Sequence, residues 1–267
     1  MLSPRSASRA FCRRDCSRSM PTPVLSPQAT QRINVFTKRV GRGINRHRMI
    51  EDGEGILISV SGGKDSLALS LALSIRKSWV PIDYEIHGLF IDWREFPAGE
   101  QNRKRLLEFM ESLKIPCRIV EASIFPTSYE KSFNCYICSR NRKRILFREA
   151  QRLGISKIAV GHHLDDVIET TLMNLFFKGE FATMLPVQNF FDGKFKIIRP
   201  MCEVEEREVI RLMKVYPLPV FSINCPRKPD NQREFFKDLI KQVKRVNKHA
   251  KDNLYNAPWR INKDYLP

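Results

Sequence analysis

The sequence predicts an α/β protein with a doubly wound, mostly parallel sheet and helical extensions, and three observations carry that expectation. Short apolar, β-branched runs recur along the middle of the chain without polar alternation, as strands buried on both faces require. Segments of helical periodicity separate them at regular intervals. The first such run, Ile56-Leu57-Ile58-Ser59-Val60, passes through a glycine-containing turn into a helix-forming segment, the order of a βα unit.

Taken in order, residues 28–50 are basic and carry Ile33, Val35, Phe36, Val40 and Ile44 at loosely helical spacing, with Gly41 and Gly43 expected to interrupt the helix. Turn residues Asp52-Gly53-Glu54-Gly55 lead into the strand at 56–60. The pattern then predicts a helix over 67–77, a strand over 84–91, a helix over 101–113 and a strand over 118–120. A helix over 142–153, a strand over 157–160 and a helix over 165–177 continue the alternation. Beyond Gly179 the pattern loosens to a strand at 195–198, a helix over 204–215 and a proline-containing stretch at 217–229. Phe235, Phe236, Leu239, Ile240, Val243 and Val246 then return at near-helical spacing. Lys237, Lys241, Lys244, Arg245 and Lys248 fill the other face, a surface that either grips RNA phosphates or is simply solvated.

The length of 267 residues suits one domain with appendages: a basic leader at 1–27, a helical lead-in at 28–54, a main domain at 55–233 and a basic tail at 234–267. Lysine and arginine total 46 against 29 acidic residues, and the excess of +17 sets up a field attractive to polyanions. Nucleic acid, an anionic lipid surface, or no ligand at all would satisfy that charge. No apolar run approaches the ~20 residues of a membrane span, which excludes helical membrane classes and predicts a soluble protein with no membrane partner. The leader, with Arg5, Arg9, Arg13, Arg14 and Arg18 against the single acid Asp15, fits an organellar presequence or a chain that truly starts at Met20. The basic character survives its removal. Seven cysteines, spread thinly, argue against a disulfide framework and for a reducing, cytoplasmic setting.

Ser61-Gly62-Gly63-Lys64-Asp65-Ser66 lies where the first strand enters the first helix, a position at which helix amides and the dipole favour an anion. Gly62 and Gly63 let backbone approach a phosphate, Lys64 supplies charge, and the hydroxyls of Ser61 and Ser66 can donate. Asp65 could assist a magnesium ion. The spacing is not that of the Walker loop, which excludes a kinase or GTPase reading on this ground.

Cys135-Tyr136-Ile137-Cys138 precedes Ser139-Arg140-Asn141-Arg142-Lys143-Arg144, a cationic segment expected to favour thiolates. By itself a CxxC pair suits a zinc site, a redox pair or two buried thiols. Cys117 and Cys202 fall in or beside regular elements and read as small buried hydrophobes, while Cys12 and Cys16 belong to the leader. Gly161-His162-His163-Leu164-Asp165-Asp166 follows another strand and opens another helix, so it shares a sheet edge with the glycine loop. Adjacent histidines on extended chain point to opposite sides, and the two aspartates could simply cap the helix.

The SGGKDS hexapeptide after a hydrophobic strand closely resembles the PP-loop of ATP pyrophosphatases, which split ATP into AMP and pyrophosphate. From about Arg32 to Arg233 the chain resembles the tRNA 2-thiocytidine synthetase family through MIEDGEGILISVSGGKDS, the CxxC-Ser-Arg block and GHHLDDVIETTLMNLFFKGEFATMLP. The stretch from Cys225 to Arg233 resembles the surroundings of that family's third cluster cysteine, with Pro229, Gln232 and Arg233 setting the register. The chain departs from the pattern in its basic leader and a shorter terminal region. Lysidine synthetases share the loop and the histidine block but lack the CxxC arrangement.

The resemblance implies a fold of the PP-loop ATP pyrophosphatase (adenine nucleotide alpha hydrolase-like) type, with ATP held by Ser61, Gly62, Gly63, Lys64, Asp65, Ser66, Arg142, Gly161 and Asp166. It implies Mg2+ and a [4Fe-4S] cluster on Cys135, Cys138 and Cys225, with Lys64, Asp65 and the three cysteines as the catalytic set. The implied reaction adenylates the C2 oxygen of a cytidine at the first anticodon-loop position of tRNA and replaces it with sulfur. The donor would be sulfide or a persulfide carrier, and the family implies a homodimer. Thiolation of a uridine, or a nucleotide-binding RNA or protein interaction module with structural zinc on the same cysteines, are the competing readings.

Overall fold

The structure is a computed structural model that describes residues 25–125, 135–223, 225 and 231–265. Six strands form one sheet: β1 (Glu54–Val60), β2 (Tyr84–Trp93), β3 (Cys117–Ala122), β4 (Lys157–Ala159), β5 (Val187–Phe190) and β6 (Phe195–Ile198). Their order is β3-β2-β1-β4-β6-β5, parallel throughout except for the antiparallel β5–β6 hairpin at the edge. The chain walks outward from β1 through β2 to β3 and then returns to place β4 on the other side of β1. That reversal makes the carboxyl ends of β1 and β4 the crevice of the fold.

Eight α-helices accompany the sheet among the described residues: α1 (Pro27–Arg46), α2 (Lys64–Lys77), α3 (Glu100–Ser112), α4 (Cys135–Leu153), α5 (Leu164–Lys178), α6 (Glu206–Met213), α7 (Asn231–Val246) and α8 (Ala250–Asn256). The pleat of β1 sends Ile56, Ile58 and Val60 into one core shared with α1, α2, α3, α5, α6 and α7, and Leu57 into a second core where α4 supplies Ile145, Leu146 and Ala150. No helix among the described residues is long and apolar enough to cross a membrane. The leader lies almost entirely outside the described residues.

Four expectations are corrected. Gly41 and Gly43 do not interrupt α1, which runs continuously through both. They are close-approach positions: a Cβ on Gly41 would meet the Arg76 guanidinium at 2.5 Å, and one on Gly43 would meet the Pro200 carbonyl at 3.1 Å. Arg76 donates in turn to Asn45 of α1 at 2.6 Å, so the glycines dock the helix. The helix expected to open at Arg142 instead opens at Cys135, which puts the CxxC pair in a first helical turn. Helix α6 is shorter than the 204–215 expected. Strand β5 and helix α8 went unread: β5 carries only Val187, Gln188, Asn189 and Phe190 and takes its hydrogen bonds from β6, a tertiary signal.

Helix α7 buries Phe236 completely and Ile240 to 4% exposure, whereas Val246 at its end is 91% exposed. Phe236→Ala should therefore cost about 3–5 kcal/mol in urea unfolding, while Val246→Ala should stay within about 0.5 kcal/mol of wild type. Equal, small effects would show that α7 does not belong to the core.

Candidate active site

The loop after β1 is held by its own hydroxyls. Ser66 Oγ accepts from the Ser61 amide at 3.1 Å and donates to the Gly63 carbonyl at 3.0 Å, while Ser61 Oγ accepts from the Gly63 amide at 3.3 Å. The two serines thus brace the loop against collapse. Gly62 has φ +77°, and a Cβ there would fall 2.3 Å from the Phe221 ring; the Phe221 amide donates to the Gly62 carbonyl at 3.1 Å. Phe221 in turn packs edge-on against Phe90 of β2 at 5.8 Å. The segment beyond α6 therefore clamps the loop, and Cys225 follows Phe221 by four residues, within about 14 Å of chain. At Gly161, after β4, an added Cβ would lie 3.0 Å from the Asp65 carbonyl carbon and the Ser66 nitrogen, so the two loops touch backbone to backbone.

Lys64 opens α2 and is paired with Asp65 at 2.9 Å and with Glu206 of α6 at 3.0 Å. Burial alone would lower the ammonium's pKa, but the hydrogen bonds and charges of Asp65 and Glu206 outweigh it and raise the value. Burial alone would likewise raise Glu206, yet Lys64, with help from Lys237 and His163, brings it down to about 2. His163 caps α5 with an imidazole where a serine or threonine would be usual: its Nδ1 accepts from the Asp166 amide at 3.3 Å, and Asp166 accepts from the His163 amide at 3.0 Å. His163 Nε2 lies 3.9 Å from Asp65. His162 turns the opposite way, as an extended segment demands, and accepts from Arg199 at 3.4 Å; burial drives its pKa to about 4.

Asp165 serves other elements. It accepts from the Glu206 amide at 2.7 Å, which caps α6, and pairs with Lys251 of α8, which also reaches Glu205 at 3.1 Å. Asp166 pairs with Arg233 of α7 at 3.3 Å. One turn along α5, Glu169 is 1% exposed and neither carboxylate oxygen has a hydrogen-bond partner; burial raises its pKa to about 7. Glu206, Phe221 and Glu169 were missed in the sequence. Only Glu169 left a signal there, as an acid at helical spacing from Asp166 on an otherwise apolar stretch.

Cys135 and Cys138 occupy the first turn of α4, half-buried, and Cys225 is exposed. The cationic segment does not favour the thiolate at Cys138 as expected. Burial raises its pKa first, Arg142 opposes, and Cys135, Cys225 and Glu95 raise it further. The same influences show that the three thiols share one neighbourhood, with Arg142 beside them. Among the described residues no three His, Cys, Asp or Glu side chains stand at metal-holding spacing, so the thiols are adjacent without forming a cage. As a donor set, two sulfurs from a helix start and a third from the segment after α6 suit a soft metal or an iron–sulfur cluster. Cys117 and Cys202 are set aside by burial, which raises their thiols to about 12 and about 11.

The loop, the histidine block and the cysteines therefore lie along one sheet edge, and the PP-loop domain family matches residues 27–240, a span that contains all of them. The chain belongs to that family. A tRNA-cytidine(32) 2-sulfurtransferase of Methylobacillus flagellatus is 31% identical over 240 residues, which are 87% of this chain and 78% of the relative. One from Colwellia psychrerythraea is 34% identical over 231 residues, 83% and 73% of the two chains. Likeness at this level over most of both sequences places this PP-loop protein in the tRNA-cytidine 2-sulfurtransferase family. The U34-tRNA thiolase NcsA from Methanococcus maripaludis, solved with its [4Fe-4S] cluster, shares the fold with a TM-score of 0.71 at 20% identity, over 90% of this chain and 81% of that one.

The two shifted glutamates act in opposite directions on stability. Glu206, lowered from 4.5 to about 2, stabilises fully above pH ~4.5, and that contribution is lost as pH falls through about 2. Glu169, raised from 4.5 to about 7, keeps a proton that the unfolded chain releases, so stability falls as pH rises from 4.5 towards 7. Thermal melts should show Glu169→Gln gaining most at pH 8 and Glu206→Gln losing its deficit only in strong acid. A Glu169→Gln melting curve parallel to wild type across pH 4–8 would exclude the buried carboxyl as the cause.

Proposed function

We propose that this protein is an ATP-dependent tRNA sulfurtransferase that converts the cytidine at position 32 to 2-thiocytidine. One observation supports the reading: Phe221, which holds Gly62, and the thiol Cys225 lie on one short segment, which would bring phosphate chemistry at the loop near sulfur chemistry at Cys135 and Cys138.

Ser61, Gly62, Gly63, Lys64, Asp65 and Ser66, with Gly161 and Asp166 opposite, would hold ATP. The start of α2 has no side-chain cap at Gly63, so its dipole and first-turn amides face the loop. Lys64, its pKa raised, stays cationic at neutral pH and exchanges Glu206 for an arriving phosphate. The base's C2 oxygen attacks the α-phosphorus and pyrophosphate leaves with the electron pair. Charge growing on that leaving group is met by Lys64 and the helix amides, which were fixed before the reaction began. A sulfur nucleophile then adds at C2, and AMP departs carrying the former C2 oxygen. Asp65 would hold Mg2+ against the phosphates. A [4Fe-4S] cluster on Cys135, Cys138 and Cys225 would supply an iron coordination position for hydrosulfide. Arg142, whose charge acts on the Cys138 thiol, would serve the sulfur side as well as the nucleotide that the family resemblance assigns to it. Sulfide itself would serve as donor, or a persulfide carrier whose terminal sulfur a thiol reductant releases as sulfide, leaving a disulfide.

Anaerobically purified protein, given ATP, Mg2+, sulfide and an unmodified tRNA transcript, should yield 2-thiocytidine by nucleoside mass spectrometry, with AMP and pyrophosphate in equal amount. Lys64→Ala should lower the rate by about 100-fold or more, and Cys225→Ala should lose both iron and acid-labile sulfide. Accumulation of 2-thiouridine instead would move the substrate to a uridine. Stoichiometric zinc with no turnover of ATP would replace the enzyme reading with an interaction module.

A further inference from the structure

The outer face of α4 carries a groove that neither the nucleotide loop nor the cysteines account for. Its volume is about 1180 Å³, and it is walled by α4 on one side and the β5–β6 hairpin on the other. Arg140, Lys143, Arg144 and Arg148 line it from the helix and Lys194 from the hairpin, all exposed. No lining residue is acidic, and none of these five cations has a carboxylate partner among the described residues. The acid on this part of α4, Glu149, is buried and turned away, paired with Arg118 at 2.8 Å and Arg152 at 2.9 Å.

The contrast with α7 decides where polyanion binding belongs. The sequence left Lys237, Lys241 and Lys244 of that helix as either phosphate contacts or a solvated face, and the fold commits them to Glu206, Asp238 and Glu205. An ion already paired gains less from a phosphate than an unpaired one, because its own partner must first be released. Arg245 of α7 also has no carboxylate partner among the described residues, but on α4 four such cations line one groove.

Aromatic rings floor the same groove. Phe147 of α4 lies 5.2 Å from Phe190 and 5.2 Å from Phe191. The Lys143 ammonium stands over the Phe190 ring at 5.9 Å, and Lys194 over Phe195 at 5.8 Å. Phe191 has φ 53° and the next residue, Asp192, φ 54°, a left-handed pair sparsely populated for a bulky side chain. That turn leaves the Phe191 ring 63% exposed at the groove's rim. Unpaired cations interleaved with presented aromatic faces suit RNA, whose phosphates take the charge and whose unstacked bases take the rings.

Direction follows from topology. Helix α4 begins at the carboxyl edge with Cys135 and Cys138 and runs back along the sheet toward the hairpin turn, so the track from Tyr136 to Gln151 is about 22 Å long. The geometry points to this groove as the surface along which the substrate tRNA lies, its stem phosphates on α4 and its target base at the cysteine end. The assignment rests on the thiolation reading for the identity of the RNA, and on charge and ring placement for its position.

The test is fluorescence anisotropy with an unmodified tRNA transcript, without ATP, at several salt concentrations. Arg144→Ala/Arg148→Ala should weaken binding about tenfold at ~0.1 M salt and reduce the slope of log affinity against log salt by about 1.5–2. Phe191→Ala should weaken binding with the slope unchanged, since a stacked ring releases no counterion. Lys241→Ala/Lys244→Ala on α7 should bind as wild type. Thermal melts check that each variant is folded. If the α4 pair leaves affinity and slope unchanged, or the α7 pair takes the loss, the groove is not the RNA surface. An acidic protein partner is then its remaining use. Thiolation is assayed separately on wild type. A wild type that binds tRNA with a steep salt slope but makes no thiolated nucleoside overturns the proposed reaction, and the groove still stands or falls on the slopes.

Discussion

The architecture depends on two places where a side chain is forbidden. At Gly161 the loop after β4 meets the backbone that opens α2, and at Gly62 the Phe221 ring meets the loop itself; a methyl group at either point would enter a neighbour's van der Waals shell. Close approach at both points presses three segments, remote in sequence, onto the place where strand order reverses. The reversal alone creates a crevice. The glycines make it narrow, bringing the loop after β4 and the Phe221 ring against the start of α2.

Around that contact the charges form a relay of compensation rather than a set of isolated pairs. Lys64 is balanced by Asp65 and Glu206, Glu206 by Lys237, and Asp165 by Lys251, which also satisfies Glu205. Five elements, α2, α5, α6, α7 and α8, are joined by these ions. Charges half-withdrawn from water need such partners, and the network spends none of its cations on open solvent. Glu169 is the exception, buried beside the network without a hydrogen bond.

The strands and the phosphate loop were legible because their information is local. β1 is a continuous apolar run, the loop a contiguous hexapeptide, and the histidine block an uninterrupted stretch after a strand. What stayed hidden is set by the third dimension. Nothing in the sequence around Glu206 distinguishes it from its neighbours Glu205 and Glu208, yet it alone reaches Lys64. Phe221 sits in a proline-flanked stretch without periodicity, and its partner Gly62 lies far upstream. The basic residues of α4 and α7 look alike as text. What separates Arg140, Lys143, Arg144 and Arg148 of α4 from Lys237, Lys241 and Lys244 of α7 is that folding gives only the second group a carboxylate among the described residues. Gly41 and Gly43 were misread for the same reason: a glycine that breaks a helix and one that lets a neighbour dock carry the same letter.

The short span from Phe221 to Cys225 has a mechanical meaning. Four residues of chain tether the ring over the loop to the Cys225 thiol, a limit that two sites on separate long arms would not have. The covalent chain caps how far the thiol can stand from the loop that Phe221 holds. A chemical modification at Cys225 therefore falls on the same stretch of backbone that supports Gly62.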